Sequence, residues 1–561
     1  MRYILSFMLS LGFMAFSFMG NAADIKGDVV FPVISCLDLV DTDLTSIGGV
    51  GSVVITAEET TSDGKAVCAI TGKLAPEINF QILLPMKSWT GRYLQVGCGG
   101  LCGNITLNSG ASAGCMVLAD GEFVMAATDM GHQSSDETWG LDAQKRADFA
   151  YRAQHLTALS AKALITKYYG QEPKYAYFNG CSDGGREALM EAMRYPDDFD
   201  GIIAGAPAML FQVQNTLYHG WMARSNTDEN GKIILTSDKL PILYNAVIKA
   251  CDGNDGLADG IIAQPALCQF DPKVLICEGT DSRNCLTEAQ AMVAQKFYEG
   301  PKEGDVYLTA GQPVYGSELE WQGVYVTDSA DGSLMSEMAV TPVLRYLAFA
   351  NPRPDMTIKD LEFTTQTLNE LQARHPLYDA TNADLSAFAQ NGGKLIMWHG
   401  LADSHIAPAN TVSLYNAMGD LLGREIRQNF SRLYLLPAVG HCSGGQGPSN
   451  VDLLSAMMDW VEGGIAPDAI ITSSTAETSS FGQPDFGENN QNAHRPQKMD
   501  LGVLPLPNMT RPVWPYPYIA QYSGDGDYTN AQSWQRGENA EIIKTHDWPG
   551  SDMFGKYEFI N

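Results

Sequence analysis

A serine between glycines, together with two polar residues far downstream, is the part of this sequence that could perform chemistry. The segment Gly-Cys-Ser-Asp-Gly at 180–184 follows the Gly-x-Ser-x-Gly pattern of a tight turn that presents a serine nucleophile. Cys181, in this turn, has a counterpart in Cys442, which directly follows His441. If Ser182 and His441 touch as nucleophile and base, the two cysteines also come within disulfide distance, so the pattern predicts a bridge between them.

The acid of a catalytic triad is expected at the end of another strand. Asp403 follows the apolar segment 394–398, and His441 follows the apolar segment 432–436. The chain order Ser, Asp, His is that of α/β-hydrolases. Serine is a weak nucleophile until a base takes its proton, and a carboxylate holds the tautomer of that base. We therefore predict Ser182 as nucleophile, His441 as base and Asp403 as the acid that orients it.

These assignments have alternatives. Asp403 could instead cap the helix that follows Ser404. His399 and His405 are rival bases, although neither of them follows a later strand. His132 is a further candidate, which we expect to be a structural or pocket residue.

A serine esterase also needs donors for the negative charge of its tetrahedral intermediate. The backbone N–H of Asp183, the residue after the nucleophile, should be one donor. The second should come from the loop after an early strand, and the glycine-rich segment 97–100 follows the strand expected at 93–96. We predict Gly100 as this second donor, with a simple glycine-rich turn as the alternative.

The order of apolar and amphipathic segments predicts the fold. Strands are expected at 80–84, 93–96, 123–127, 175–178, 201–205, 394–398 and 432–436, and helices at 151–169, 185–193 and 450–462. Alternating strands and helices predict an α/β protein with a doubly wound, mostly parallel sheet, arranged as an α/β-hydrolase core. This rhythm is absent from about 209 to 390. We therefore predict a catalytic domain formed by 24–208 and 391–534, an inserted domain at 209–390, and a polar surface loop at 472–510.

The N-terminus and the charge of the chain indicate where it acts. Residues 1–23 have a basic start, an apolar stretch and small residues before Asp24, which is typical of a signal peptide. We therefore expect a secreted or periplasmic protein, in a compartment where disulfides persist. No later segment is apolar enough to predict a membrane span. A formal net charge of −29 argues against nucleic acid or an anionic membrane as a partner.

Two further clusters could bind metals. Cys98, Cys102 and Cys115 could be zinc ligands, but no histidine has finger-like spacing, so we expect one bridge within this trio and one leftover thiol. The segment 251–261 combines aspartates with glycines, as a calcium loop requires. It is not an EF-hand, and a solvated acidic turn is the alternative. Cys251 and Cys268 flank this loop.

Residues 30–530 resemble the tannase and feruloyl esterase family, in which a Cys-Ser, Asp, His-Cys pattern links the neighbours of serine and histidine by a disulfide. The matching positions are Cys181-Ser182, Asp403 and His441-Cys442, with Gly-Cys-Ser-Asp-Gly-Gly-Arg at 180–186 and Gly-Ala-Pro at 205–207. The resemblance implies that the inserted domain is a lid with a structural Ca²⁺ ion. It implies the calcium ligands Asp252, Asp255 and Asp259, with the carbonyls of Leu257 and Ile261. It also implies the bridges Cys36–Cys68, Cys251–Cys268 and Cys277–Cys285, besides Cys181–Cys442.

The resemblance also implies an activity. Its usual substrates are esters of phenolic acids, such as ferulate on plant cell-wall sugars or gallate in tannins. The lid would supply an aromatic pocket, to which Trp321, Tyr325 and Tyr346 could contribute.

The chain departs from the family in three places. A C-terminal disulfide of the family is absent, residues 535–561 form a C-terminal extension past its usual end, and the segment 322–344 lacks an arginine that a terephthalate half-ester hydrolase uses. Hydrolysis of mono(2-hydroxyethyl) terephthalate or another aromatic ester is therefore the alternative activity. A non-catalytic, calcium-stabilised binding protein is a third hypothesis, which the intact Ser, Asp and His set disfavours.

Overall fold

The computed structural model describes residues 27–279, 284–474 and 506–560. The predicted signal peptide, residues 1–23, and most of the predicted surface loop at 472–510 lie outside the described residues.

A nine-stranded sheet lies at the centre of the region predicted as the catalytic domain. From one edge to the other, its strands are Val53–Ser62 (β1), Lys65–Leu74 (β2), Ile78–Pro85 (β3), Phe123–Thr128 (β5), Arg92–Val96 (β4), Tyr175–Cys181 (β6), Gly201–Gly205 (β7), Lys394–Gly400 (β8) and Ser431–Leu436 (β9). Strands β1, β2 and β3 pair in antiparallel fashion, and β3 is antiparallel to β5. From β5 to β9 all neighbouring strands are parallel. The predicted mostly parallel α/β sheet is therefore confirmed, with an antiparallel edge that was not predicted.

The structure describes seven helices of eight or more residues. They are Ala153–Tyr169 (α1), Asp183–Arg194 (α2), Leu240–Cys251 (α3), Glu288–Glu299 (α4), Met335–Pro342 (α5), Pro408–Leu422 (α6) and Leu453–Gly463 (α7). None of the helices in the described ranges combines the length and the apolar character that crossing a bilayer requires.

The parallel strands are buried on both faces, which explains their continuous apolar sequences. Successive side chains point to opposite faces, so Phe178 of β6 packs in one core with residues of α1, α2 and α6. Its neighbour Tyr177 packs in a second core with residues of α7. The two cores hold the carboxyl ends of β6, β8 and β9 in fixed positions relative to one another.

The segment between β7 and β8 holds α3, α4 and α5 and has a hydrophobic cluster of its own. Trp321 and Tyr325 are buried in this cluster, where the ring of Phe297 packs edge-on against both. We keep the term lid for residues 209–390.

The C-terminal residues pack on the rest of the molecule. Strand Trp534–Asn539 pairs with Tyr518–Tyr522, and the side chains of Trp548 and Phe554 are buried in the core that contains α1. The Tyr557 hydroxyl donates a hydrogen bond to the carbonyl of Asp379 at 2.5 Å.

Candidate active site

Ser182 occupies a strained turn between β6 and α2. Its φ of 65° and ψ of −122° lie in a region that residues with a side chain rarely adopt. A Cβ atom on Gly180 would lie 2.2 Å from the carbonyl oxygen of Gly184, and one on Gly185 would lie 2.3 Å from that of Gly205. The glycines are therefore required by close backbone contacts, and the turn directs the serine side chain away from the sheet.

Asp403 is fully buried after β8, and hydrogen bonds reach both of its carboxylate oxygens. Its Oδ2 accepts from His441 Nδ1 at 2.7 Å and from His399 Nε2 at 3.1 Å. Its Oδ1 accepts from the backbone N–H groups of His405 and Ile406 at 2.8 and 3.0 Å. Burial by itself would raise the pKa of Asp403, but the charge of His441 and these hydrogen bonds lower it well below its usual value. Asp403 is therefore an ionised acceptor for His441.

The structure does not support the alternative roles of Asp403 as a helix cap and of His399 as the base. Asp403 does not cap helix α6, because the N-cap residue is Ala407. His399 lies behind the acid, where its Nδ1 accepts from the Thr411 hydroxyl at 2.7 Å while its Nε2 faces Asp403. Sequence reasoning treated His399 only as a rival base. Its spacing of four residues from Asp403 at the end of one strand is the signal that could have identified it as a positioning residue.

Ser182 and His441 line one cavity and are tied together through their neighbours. A disulfide joins Cys181 to Cys442, with a Cα–Cα distance of 5.9 Å and a sequence separation of 261 residues. Because the Nδ1 of His441 donates to Asp403, its Nε2 is available to accept a proton. The structure thus brings together the predicted nucleophile, base and acid.

The predicted oxyanion donors lie in the same cavity. Gly100 and Asp183 both line it. Gly100 has a φ of 63°, a left-handed conformation that glycine adopts without strain. The Asp183 carboxylate faces away, in an ion pair with Arg186 at 2.7 Å, which leaves only its backbone N–H for the reaction. His132 lies behind this region, where its Nε2 donates to the carbonyl of Leu101 at 2.8 Å.

The cavity has a volume of about 170 Å³ and lies between the core and the lid. Its lining is Gly100, Leu101, Ser182, Asp183, Ala208, Gln214, Asn215, His219, Met335, Ala339, His405, Ile406 and His441. Within the described part of the chain, this lining contains no Phe, Tyr or Trp. Trp321 and Tyr325 pack in the lid's own cluster, and Tyr346 packs against Gly140. The expected aromatic pocket is therefore wrong, because none of the three residues lines the cavity; Trp321 and Tyr325 stabilise the lid, and Tyr346 packs on the main core.

Two histidines that sequence reasoning did not assign to the pocket face His441. The ring of His405 stacks on that of His441 at 4.6 Å, and His219 approaches His405 at 6.2 Å. Burial and the charge of His441 lower the pKa of His219 to about 4 and that of His405 well below its usual value. Both rings are therefore neutral at neutral pH, and neither supplies a positive charge to the cavity.

The structure contains five disulfides. Four of them have the pairing that the resemblance implies, namely Cys36–Cys68, Cys181–Cys442, Cys251–Cys268 and Cys277–Cys285. The fifth joins Cys98 to Cys102, which leaves Cys115 as a buried free thiol. The trio therefore contains one bridge and one thiol, as expected, and not a zinc site formed by all three cysteines.

Hydrogen bonds hold three carboxylates in place in the acidic loop of the lid. Asp252 accepts from Gly260 at 3.0 Å, and Asp255 from Ala263 at 2.9 Å. Asp259 accepts from Arg511 Nη1 at 2.7 Å. Burial raises the pKa of Asp252, and it raises that of Asp255 to about 6.

The potential metal-binding clusters in the described ranges lie elsewhere. One contains Cys98, Cys102, Asp183 and Glu187, and the other contains His155, Glu191 and Asp198. The first already holds the Cys98–Cys102 bridge and the Asp183–Arg186 ion pair. In the second, His155 already pairs with Asp198 at 2.6 Å.

A larger cavity of about 590 Å³ lies between the lid and the C-terminal residues. It is lined by residues such as Phe270, Tyr315 and Lys544, and none of the predicted catalytic residues is among them. Size alone therefore does not identify the reactive site of this protein.

Comparison with known proteins agrees with the geometry of the site. The chain is 28% identical over 535 residues to the mono(2-hydroxyethyl) terephthalate hydrolase of Piscinibacter sakaiensis, covering 82% of this chain and 83% of the relative. It is 29% identical over 495 residues to a probable feruloyl esterase B-1 of Aspergillus flavus, covering 83% and 85%. The crystal structure of feruloyl esterase B from Aspergillus oryzae has the same fold, with a TM-score of 0.73 at 24% identity, over 90% of this chain and 100% of that one. A family model described as tannase and feruloyl esterase matches residues 62–537. The chain therefore belongs to the tannase and feruloyl esterase family of carboxylic-ester hydrolases.

Proposed function

We propose that this protein is an exported serine esterase that hydrolyses phenolic-acid esters through an acyl-enzyme on Ser182. The observation that carries the proposal is the joining of Ser182 to His441 through the Cys181–Cys442 bridge, with His441 hydrogen-bonded to the ionised Asp403. A decayed binding protein would have no need of a strained serine turn and a fully paired buried acid.

In the first half-reaction, His441 Nε2 takes the proton of Ser182 while the serine oxygen attacks the ester carbonyl carbon. Asp403 keeps the proton on Nδ1 of the imidazole and stabilises the imidazolium that forms. The negative charge that develops on the carbonyl oxygen is directed at the backbone N–H groups of Gly100 and Asp183. His441 then gives its proton to the leaving alcohol, and the acyl group remains on the serine.

In the second half-reaction, water replaces the alcohol. His441 takes a proton from this water, whose oxygen attacks the acyl carbon, and the proton returns to Ser182 as the acid leaves. His219 and His405 stay neutral, so they do not compete with His441 for the proton.

The cavity favours a neutral phenolic acyl group. Gln214 donates through its amide to the carbonyl of His405, and its Oε1 is buried without a hydrogen-bond partner among the described residues. A phenolic hydroxyl could donate to this oxygen once the amide turns it toward the cavity, whereas a carboxylate could not. The lining contains no Lys or Arg in the part of the chain that the structure describes. A terephthalate half-ester would therefore lose its carboxylate hydration without gaining a cation.

The volume of the cavity accommodates one acyl ring and not a whole large ligand. The alcohol part would extend outward past Ser182, where a sugar of a plant polysaccharide or a second phenolic ring of a tannin could lie. Large natural esters are therefore compatible with this cavity as substrates, since only their acyl group must enter it.

The acidic loop supports a structural Ca²⁺ ion. Three carboxylates and one nearby guanidinium, that of Arg511, leave an excess of negative charge. A divalent cation would neutralise this charge, and oxygen ligands are those that calcium prefers. We propose Asp252, Asp255 and Asp259 as carboxylate ligands, with the carbonyls of Leu257 and Ile261.

Export is supported by the five disulfides, which persist in oxidising compartments. We propose cleavage of residues 1–23, which lie outside the described residues. Mass spectrometry of the mature protein from its native host would find an N-terminus at about Asp24, and an intact Met1 would contradict export by this route.

The decisive experiment combines labelling with a substrate panel. A serine-reactive aryl phosphonate should label Ser182, and Ser182→Ala should abolish labelling and most turnover while the circular dichroism spectrum is retained. Labelling of another serine, or near wild-type turnover by the variant, would refute the proposal.

The substrate panel contains methyl ferulate, methyl gallate, methyl cinnamate and mono(2-hydroxyethyl) terephthalate. We expect kcat/KM to be higher for the two phenolic esters than for the cinnamate, which has no hydroxyl group. Gln214→Leu should remove this preference. A highest value for the terephthalate half-ester would favour the alternative activity.

A further inference from the structure

The loop that contains Gly100 packs directly on helix α2, which begins just after the nucleophile Ser182. A Cβ atom on Gly97 would lie 2.5 Å from the Cα of Gly184, and one on Gly184 would lie 2.9 Å from the carbonyl oxygen of Cys98. No side chain therefore separates the two backbones. The position of Gly100 relative to Ser182 depends on how well this glycine-rich loop keeps its shape.

The loop needs glycine for close approach, and glycine makes it flexible. Gly99 and Gly100 are adjacent, and glycine has more backbone freedom than any other residue. The Cys98–Cys102 bridge closes a short ring around them, while Cys102 N–H donates to the carbonyl of Gly99 at 3.0 Å. A covalent closure of this kind removes conformations that an open loop would sample.

The bridge also packs against helix α2. The Sγ atoms of Cys98 and Cys102 lie 2.7 and 3.3 Å from Oε1 of Glu187, which follows Ser182 on α2. The backbone N–H of Cys98 donates to Oε2 of the same carboxyl group at 3.3 Å. The other side of the loop is held by His132, which donates to the carbonyl of Leu101. The loop is thus fixed from the helix on one side and from β5 and the residues after it on the other.

We propose that Cys98 and Cys102 are positioning residues for the oxyanion donor Gly100, acting through their disulfide. They do not touch the reacting atoms. The bridge holds the Gly100 N–H where the charge develops, so it contributes to the transition state rather than to ground-state binding. This inference rests on the proposed function, because it requires the ester chemistry at Ser182.

The test compares two short bridges. Cys98→Ala/Cys102→Ala opens the ring around Gly100, whose cysteines are 4 residues apart. Cys277→Ala/Cys285→Ala opens the next shortest ring, in the lid, whose cysteines are 8 residues apart and do not line the cavity. We expect the first variant to lose about tenfold or more in kcat on methyl ferulate, with KM changed by less than about twofold. An aryl boronic acid, which mimics the tetrahedral intermediate, should bind more weakly by a similar factor. The lid variant should keep kcat and boronate affinity within about twofold.

Several outcomes would overturn the inference. These are an unchanged kcat in the first variant, a loss shared equally by both variants, and a rise in KM without a fall in kcat. Cys98→Ser/Cys102→Ser is a second variant, in which a serine hydroxyl can hydrogen-bond to Glu187. If neither the alanine nor the serine variant folds, the bridge is a general stabiliser of the fold instead. If the wild-type protein hydrolyses none of the esters, the proposed function fails first. If the wild-type enzyme is active and the Cys98/Cys102 variant is equally active, only the positioning role is refuted.

Discussion

Two aspartates of this protein have pKa values that are shifted in opposite directions. Asp403, after β8, accepts four hydrogen bonds and faces two histidines, and its pKa is lowered. Asp255, in the acidic loop of the lid, accepts backbone hydrogen bonds beside other aspartates, and burial raises its pKa to about 6. The residue type is the same in both sites. The difference lies in the partners, since those of Asp403 outweigh the cost of burying its charge and those of Asp255 do not.

The two sites therefore differ in whether they require a bound cation. Asp403, the proposed catalytic acid, is complete without a ligand, because His441 and His399 supply its positive or donor partners. Among the described residues, the guanidinium that contacts the acidic loop is that of Arg511, and a cation from solution would complete the site. We therefore expect changes at the first site to affect turnover and changes at the second to affect stability.

The largest effect should follow Asp403→Asn. The amide cannot accept from His441 in the same way, so the base would lose its tautomer, and kcat should fall by about 10⁴-fold, with a fall in melting temperature no larger than that of the control variant. Asp379→Asn is a matched control, because Asp379 is equally buried and pairs with His375 at 2.9 Å away from the cavity. Steady-state kinetics of both variants on methyl ferulate would measure this. Equal losses in the two variants would show that any buried Asp–His pair matters only for folding.

The next effect concerns the Cys181–Cys442 bridge. Replacing both cysteines by alanine should lower kcat by about 10²-fold, since a displacement of about 1 Å between Ser182 and His441 can cost that much. The control is Cys36→Ala/Cys68→Ala, which opens a bridge whose cysteines do not line the cavity. We expect the control to retain its kcat and to differ mainly in melting temperature. Retained turnover in the first variant would mean that the two cores alone hold the triad.

Much of the core and the catalytic set could be predicted from the sequence, for a physical reason. Parallel strands buried on both faces are continuous apolar segments, and a glycine-bounded serine turn has few other uses. The strand β1 was missed because it is largely exposed, with only two buried residues among threonines and glutamates. Nothing in the segment 53–62 resembles the buried strands that follow.

The wall of the cavity could not be predicted, because it depends on how the lid packs. Trp321 was expected there on its aromatic character alone, but in the structure it has Phe297 and Tyr325 as neighbours. Gln214 and His219, which do line the cavity, belong to a segment of short helical turns without a distinctive pattern. Contacts between segments that are distant in sequence decide these positions, and periodicity within one segment does not report them.

Calcium removal should have a smaller effect than either substitution in the core. Chelation should lower the melting temperature by about 2–4 °C, because a ligand bound only to the folded state stabilises it by mass action. Asp255→Asn should reduce the response to added calcium and leave kcat within about twofold. Asp228→Asn is the control, since Asp228 also accepts backbone hydrogen bonds in the lid but is exposed and outside the acidic loop. Elemental analysis without calcium, together with an unchanged melting curve after chelation, would refute the ion.

The smallest effect should be a pH dependence of stability that appears only without calcium. The folded pKa of Asp255 is about 6, above its usual value in an unfolded chain. Its protonated form is therefore favoured by folding, and its contribution to stability is complete below about pH 4 and is lost as the pH rises through about 6. Asp403 has the opposite sign, because its lowered pKa gives stability at neutral pH that is lost on acidification.

The Asp255 contribution can be isolated by difference. Melting curves of chelated wild type and chelated Asp255→Asn, measured from pH 4 to pH 8, should diverge as the pH rises, with the wild type losing more stability. The variant cannot ionise at this position, so all other titrations cancel in the difference. Calcium should reduce the divergence, since the ion stabilises the carboxylate that burial disfavours. Parallel profiles in the chelated proteins would mean that burial does not raise the pKa of Asp255, and the contrast with Asp403 would then be wrong.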